Sequence, residues 1–226
     1  MGIKIIRDLK EKQRTINLYL QAFDDTKKFV DYYYNEKCKD NVVIVWDEGG
    51  EIISMLHLNP YKISVCGKIF DTYYVVAVAT DREHRHKGYM TRLLNASFEL
   101  MKKEHIPFCF LLPVDKAIYE WIGFFEICRF TNERGEDGIV NNRKTISELN
   151  EGYEVFCVRD EPYLRRLKME DKLAMDGEEE VLPENPIIMA KITDYDKLSE
   201  AVPANVSRDK YEEWLAKRKC YFSEEI

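Results

Sequence analysis

A strand, a basic turn and a helix follow one another without interruption between residues 75 and 94, and this segment most constrains the fold. The run VVAVAT is apolar and rich in valine, which predicts a buried strand. The turn Arg85-His86-Lys87-Gly88 follows, and an amphipathic helix begins directly after the glycine. The first N–H groups of a helix have no partner within it and lie at the positive end of its dipole. The segment therefore predicts a site for a pyrophosphate.

The pattern on both sides of this segment indicates an α/β fold. A second apolar run, Phe108–Leu112, follows the helix, so the two strands are expected to be parallel neighbours in one sheet. Upstream, a short strand, two helical segments and a hairpin are predicted. Composition becomes more polar near Thr131. We therefore expect a catalytic core over residues 1–130 and a smaller α+β extension, residues 131–226, packed on it.

Composition narrows the classes of partner. The formal net charge of −7 disfavours nucleic acids and anionic membranes. No apolar run approaches the roughly 20 residues that span a bilayer, and the start MGIKIIRDLK lacks the apolar centre of a signal peptide. The six cysteines show neither a CxxC motif nor zinc spacing, so we expect buried reduced thiols and no metal site. A cytoplasmic protein is the resulting expectation.

Four motifs over residues 3–130 resemble the GNAT family of acyl-CoA N-acyltransferases. Arg85–Met90 reads R-x-x-G-x-M, where the family has Q/R-x-x-G-x-G/A, so Met90 departs from the pattern. AFDD at residues 22–25, SMLHL at 54–58 and IYxxxGF at 118–124 resemble the enhanced-intracellular-survival-type subgroup, although the C-terminal region is shorter here. The resemblance implies a GNAT fold with a mixed, splayed central sheet, and acetyl-CoA as the acyl donor.

The resemblance also implies which residues hold the pantetheine arm and the thioester. Where the strand splays from its neighbour, the backbone of Val78, Ala79 and Thr80 is expected to pair with the pantetheine amides. Val114 and Asp115 match family positions that line the thioester end. Capping of the following short helix is an equal alternative for Asp115.

The same resemblance assigns the pyrophosphate to two adjacent places: the loop Arg85–Gly88 and the first turn of the helix that follows it. The N–H groups there are expected to bind the phosphate oxygens, and two basic side chains to add charge. The residues that carry these N–H groups are His86, Lys87, Gly88, Tyr89, Met90 and Thr91, and the charged side chains are those of Arg85 and Lys87.

Acyl transfer needs a proton donor for the leaving thiolate and a proton acceptor for the amine. Tyr119 matches the family's general acid, and the alternative is a core aromatic residue. In the resembling subgroup the C-terminal carboxylate reaches the active site, which makes Ile226 a candidate base. His57 is a further candidate on the acceptor side, with a hydrogen-bonded core histidine as the alternative. Asp24 and Asp25 are expected at the acceptor rim, where they favour a cationic amine, although helix capping explains them equally well.

The leading hypothesis is therefore an acetyl-CoA-dependent N-acetyltransferase acting on a small-molecule or peptidyl amine. A second hypothesis keeps the fold but transfers a longer acyl group or acts on a hydroxyl. A third is a non-catalytic acyl-CoA-binding or scaffolding protein. The extension, which includes the segment Pro186–Asp196, is expected to cover the acceptor cleft or to mediate homo-oligomerisation.

Overall fold

The structure is a computed structural model that describes residues 2–134, 139–175 and 182–224. Contacts between residues divide the chain into two compact units. Unit 1 comprises Met1–Pro60 and Tyr74–Glu104, and unit 2 comprises Tyr61–Tyr73 and His105–Glu225. Two long strands pass from one unit into the other. Each unit is therefore described by itself below.

Unit 1 is a sheet with helices, and it contains the predicted short strand, helical segments and hairpin. Its sheet order is β1-β2-β3-β4, and both the β1–β2 and the β2–β3 pairs are antiparallel. The first half of β3 and the second half of β4 belong to this unit. The elements are β1 (Gly2–Ile6), α1 (Leu9–Lys12), α2 (Ile16–Ala22), α3 (Lys27–Glu36), β2 (Val42–Glu48), β3 (Glu51–Val65), β4 (Lys68–Thr80) and α4 (Tyr89–Lys103).

The core of unit 1 lies between α2, α3 and one face of the sheet. Tyr33 and Tyr34 of α3 are almost fully buried, and they pack in one cluster with Val43, Val45 and Met55 of the strands. Removing such large apolar surfaces from water stabilises the unit by about 25 cal/mol for each Å² buried. This packing holds the strands on which the candidate site is built.

Unit 2 contains the remaining strands. Its sheet order is β4-β5-β8-β6, and β7 pairs antiparallel with β3 and parallel with β9. The predicted adjacency of the strands before and after α4 is thus confirmed for β4 and β5. The elements are β5 (Phe108–Leu111), α5 (Ala117–Glu120), β6 (Phe125–Arg129), α6 (Ile146–Gly152), β7 (Val155–Cys157), α7 (Glu161–Met175), β8 (Ile187–Ile192), α8 (Tyr195–Leu198), α9 (Tyr211–Ala216) and β9 (Cys220–Tyr221).

Strand β8 joins the C-terminal region to the sheet. It lies between β5 and β6 and is antiparallel to both, with Phe108 opposite Ile192 and Phe125 opposite Ala190. The division by contacts accordingly groups β5 and β6 with the C-terminal elements, whereas the pattern placed a boundary near residue 130. The division at residue 130 stays a prediction, and the region after it supplies a central strand.

Three further observations concern membranes, metals and thiols. No helix in the described ranges is long and apolar enough to cross a membrane. Among the described residues, no three or more His, Cys, Asp or Glu side chains are grouped to hold a metal ion. All six cysteines are free thiols, but only Cys38, Cys109 and Cys157 are buried. The expectation of buried thiols therefore holds for half of them.

Candidate functional site

The end of β4 departs from regular strand geometry at Ala77. Its φ of +51° is a left-handed value that residues other than glycine rarely adopt. Such a residue interrupts the regular pairing of a strand and changes its course. Val78, Ala79 and Thr80 follow directly, and Val78 and Thr80 are half-buried. The predicted pantetheine-binding backbone thus begins at the distortion.

Hydrogen bonds from β3 and from the turn hold this strand end. The hydroxyl of Ser54 lies 2.9 Å from the carbonyl oxygen of Ala79 and 2.8 Å from the hydroxyl oxygen of Thr80. The N–H of Asp81 donates to the carbonyl of Ile53 at 2.9 Å. Ser54 begins the motif SMLHL, and the motif predicts no role for its hydroxyl. The feature of the sequence that could have indicated a hydrogen-bonding role is the position of this serine within the apolar run IISML.

The turn before α4 has the backbone of an anion site. His86 has a φ of +62° and Gly88, the N-cap residue, a φ of +77°. The first hydrogen bond into the helix runs from the N–H of Arg92 to the carbonyl of Gly88 at 3.2 Å. The N–H groups of Tyr89, Met90 and Thr91 precede that bond and have no side-chain cap among the described residues. These three residues are half-buried, and their N–H groups lie at the positive end of the helix dipole.

Side-chain charge at this turn is predominantly basic. Arg85, His86 and Lys87 are exposed, and the first turn of α4 contains no acidic residue. The nearby carboxylate of Asp81 accepts a hydrogen bond from Nδ1 of His84 at 2.7 Å, and this bond holds the pKa of Asp81 below its usual range. An anion bound at the turn would therefore meet positive charge.

Arg92 strengthens that charge from the first turn of α4. Its guanidinium lies 5.2 Å from the ring centroid of Trp46 and 5.8 Å from that of Tyr89. Cation–π contacts of this kind stabilise the exposed arginine. Without them, a cation at the positive end of a helix is unfavourable.

Tyr119, Val114 and Asp115 lie in unit 2 on and before α5. The ring of Tyr119 is half-buried, and burial raises the pKa of its phenol to about 12. The carboxylate of Asp115 accepts the N–H of Ala117, the first residue of α5, at 2.9 Å, while the N-cap residue of that helix is Lys116. Val114 is 87% exposed. Binding of coenzyme A by Val114 and Asp115, and the acid role of Tyr119, stay predictions.

The residues predicted for the acceptor side have mixed environments. His57 is fully buried, its Nδ1 lies 3.0 Å from the hydroxyl of Tyr33, and burial lowers its pKa to about 3. This is the geometry of the core-histidine alternative and does not favour a role at the acceptor. Ile226 lies outside the described residues.

The two aspartates do not cap α3. Asp24 is exposed, and Asp25 accepts a hydrogen bond from the hydroxyl of Tyr19 at 2.7 Å. The cap of α3 is Thr26, whose hydroxyl accepts the N–H of Phe29 at 3.2 Å. Helix capping therefore does not account for the aspartates, and their acceptor role stays a prediction.

A strand end followed by a helix N-terminus without a side-chain cap is suited to bind a phosphate group. A family model described as "Acetyltransferase (GNAT) domain" matches residues 6–128. The chain belongs to the GNAT family of acyltransferases. No curated protein matches it.

Solved structures share the fold at low sequence identity. A protein from Enterococcus faecalis V583 described as "Probable N-Acyltransferase" has a TM-score of 0.65 and 10% identity, covering 89% of this chain and 75% of that one. A GCN5-related N-acetyltransferase from Kribbella flavida has a TM-score of 0.56 and 10% identity, covering 91% and 77%. Eis1 from Mycobacterium abscessus has a TM-score of 0.56 and 13% identity, covering 76% of this chain and 49% of Eis1. At these identities the similarity shows the fold alone.

Proposed function

We propose that this protein transfers an acetyl group from acetyl-CoA directly to a primary amine of a small molecule or a peptide. One observation carries the proposal: Gly88 opens α4 in a left-handed conformation, without a side-chain cap and beside basic residues. That arrangement suits a pyrophosphate. Membership of the GNAT family supports coenzyme A as the molecule that brings it.

In this proposal, the backbone of the protein binds acetyl-CoA through the pyrophosphate and the pantetheine amides of the cofactor. The pyrophosphate accepts hydrogen bonds from the N–H groups of residues 86–91, with Arg85 and Lys87 adding charge. The pantetheine amides pair with the backbone of Val78, Ala79 and Thr80. Holding the arm in an extended conformation delivers the thioester in one orientation, which lowers the entropic part of the barrier.

The reaction forms a carbon–nitrogen bond and breaks the carbon–sulfur bond of the thioester. A neutral amine attacks the carbonyl carbon, and backbone N–H groups stabilise the developing oxyanion. Tyr119 donates the proton that the leaving thiolate needs; its raised pKa keeps the phenol protonated at neutral pH. The proton lost from the amine goes to a base; Ile226, the candidate from the family resemblance, lies outside the described residues.

On the acceptor side, Asp24 and Asp25 favour an amine that carries positive charge. Asp24 is exposed, and the carboxylate of Asp25 is fixed by the hydroxyl of Tyr19. A protonated amine is attracted by such carboxylates before it loses its proton. We also propose that the C-terminal region mediates self-association, which the mass of the protein in solution, from light scattering, would test.

Release of free coenzyme A across a panel of amines tests the proposed function. Wild type should release coenzyme A with at least one amine, and Tyr119→Phe should do so far more slowly. A parallel panel of alcohols and of longer acyl-CoA donors separates the related enzymatic alternatives. The proposal would be contradicted if the protein bound acetyl-CoA tightly but turned over no acceptor, and if Tyr119→Phe had no effect. That result would favour a non-catalytic acyl-CoA-binding protein.

A further inference from the structure

The hydroxyls of Ser54 and Thr80 form a chain that ends on a backbone carbonyl. Ser54 lies on β3 and is fully buried, while Thr80 is the last residue of β4 and is half-buried. The oxygen of Ser54 is 2.9 Å from the carbonyl oxygen of Ala79 and 2.8 Å from the hydroxyl oxygen of Thr80. Both contacts are of normal hydrogen-bond length.

The direction of both hydrogen bonds follows from the number of hydrogens. The carbonyl of Ala79 can only accept, so the single hydrogen of Ser54 is used on it. The contact between the two hydroxyls then needs the hydrogen of Thr80, which Thr80 donates to Ser54. In the reverse arrangement, with Ser54 donating to Thr80, the oxygens of Ser54 and Ala79 would lie 2.9 Å apart with no hydrogen between them.

Thr80 is left as a pure acceptor. Its hydroxyl hydrogen is directed to Ser54, so only its oxygen lone pairs remain for a ligand. In the part of the chain that the structure describes, Ser54 is the one partner of this hydroxyl. A phosphate oxygen also only accepts hydrogen bonds at neutral pH, so Thr80 cannot bind the pyrophosphate through this group.

We propose that the Thr80 hydroxyl accepts a hydrogen bond from a donor group of the pantetheine arm, an amide N–H or the arm's hydroxyl. Ser54 acts as a positioning residue that sets the polarity of Thr80. The inference rests on the proposed coenzyme A site, since Thr80 closes the strand directly before the pyrophosphate turn. The predicted pantetheine site consisted of backbone groups alone; this inference adds the side chain of Thr80 and its buried partner, Ser54.

Calorimetric titration with two probes tests the proposal. Coenzyme A carries the arm, whereas adenosine 3′,5′-diphosphate lacks it and keeps the nucleotide end. Thr80→Val should weaken coenzyme A binding about 3- to 10-fold, the range expected for one neutral hydrogen bond, and leave the nucleotide probe unchanged. Thr80→Ser keeps the hydroxyl and should restore most of the affinity for coenzyme A.

A double-mutant cycle tests the role of Ser54. Ser54→Ala frees the Thr80 hydroxyl to turn, so it should weaken coenzyme A binding, but by less than Thr80→Val. Ser54→Ala with Thr80→Val should then bind no worse than Thr80→Val alone. Ser97→Ala is the matched control, because Ser97 is also fully buried in unit 1 and bonds the carbonyl of Leu94 at 2.7 Å. It should leave both affinities unchanged.

The outcomes separate this inference from the proposed function. The proposed role of the hydroxyl chain would be refuted if Thr80→Val bound coenzyme A as tightly as wild type does. It would also be refuted if the effects of Ser54→Ala and Thr80→Val on that affinity were additive. Neither result would bear on the proposed acetyl transfer. Selective loss of arm affinity in a protein that turns over no amine would support the hydroxyl chain and refute acetyl transfer. Thermal melting of each variant identifies any that fail to fold. If a Ser54 variant fails to fold, Thr80→Ser against Thr80→Val decides, and if Thr80→Val fails to fold, Ser54→Ala against Ser97→Ala decides.

Discussion

The ring of Tyr119 packs edge-on against the ring of Phe124, with their centroids 5.6 Å apart. Edge-to-face packing of this kind fixes the ring plane and therefore the direction of the hydroxyl. Burial of the same ring raises the pKa of the phenol to about 12. A rigid phenol that stays protonated keeps a proton available for the leaving thiolate, and the raised pKa makes it a weaker acid than a free tyrosine.

Replacing Tyr119 with phenylalanine should lower kcat about 100-fold with little change in KM, as expected when a general acid is removed. Tyr153→Phe is the control, because Tyr153 is also a half-buried aromatic of unit 2, packed on Tyr221. Steady-state coenzyme A release measures both variants. Equal rates for wild type and Tyr119→Phe would exclude Tyr119 as the acid.

The pH profile offers a second readout of Tyr119. A phenol with a pKa of about 12 loses its proton only in strong alkali. The wild-type rate should therefore show no alkaline loss from this group below about pH 10. An alkaline limb near neutrality that Tyr119→Phe abolishes would contradict the raised pKa.

Gly88→Ala should weaken coenzyme A binding about 10-fold, because a left-handed φ strains any residue with a Cβ and the turn would relax. No atom within 4 Å would meet the new methyl group, so the cost is in the backbone rather than in a clash. Gly67→Ala is matched to it, with a φ of +82° against +77° and equally open space.

Both glycine variants should lose about 1 kcal/mol of unfolding free energy, since the backbone strain is the same. Only Gly88→Ala should change the affinity for coenzyme A, measured by calorimetric titration. Equal affinities for the two variants would show that the turn before α4 is not the pyrophosphate site.

Asp47→Asn should destabilise unit 1 by about 1–2 kcal/mol at neutral pH, because the buried carboxylate accepts charge-assisted hydrogen bonds. Arg14 donates at 2.7 Å and Lys4 at 3.0 Å. These bonds, that from Arg14 first, hold the pKa of Asp47 well below its usual range. Chemical denaturation at a series of pH values measures the effect.

The sign of the pH dependence follows from that lowered pKa. The stabilisation by Asp47 is fully present above the pKa of the unfolded chain, about 3.9, and is lost as pH falls toward the lower folded value. Asp47→Asn should therefore flatten the acid side of the stability profile. Asp71→Asn, which removes an exposed ion pair with Lys62, should leave the profile as in wild type; a similar flattening there would argue against a specific role for Asp47.

A fragment of residues 1–130 should not fold alone, because it lacks β8 and leaves facing edges of β5 and β6 unpaired. Co-expression of residues 131–226 should restore soluble protein by supplying that strand. Soluble yield and amide hydrogen exchange measure the outcome. A stable, monomeric and active fragment would show that the boundary near residue 130 separates independent domains.

Local elements were predictable because their signals are local. Hydrophobic periodicity and one glycine were enough to predict the strand that ends at Thr80, the turn that ends at Gly88 and the amphipathic helix after it. The family followed from motifs with the right order and spacing. The residue that caps α3 was less predictable. Aspartate and threonine both commonly cap helices, so Asp25 and Thr26 were both candidates, and Thr26 is the cap in the structure.

The sequence by itself determined the α/β class, the turn that ends at Gly88 and the family, since each depends on neighbours along the chain. Only the tertiary structure decided that β8 lies between β5 and β6, that His57 is fully buried, and that Ser54 meets Thr80. These facts depend on strand pairing between residues far apart in sequence, and periodicity within one strand does not specify its partner. The direction of the Ser54–Thr80 hydrogen bonds follows from that pairing.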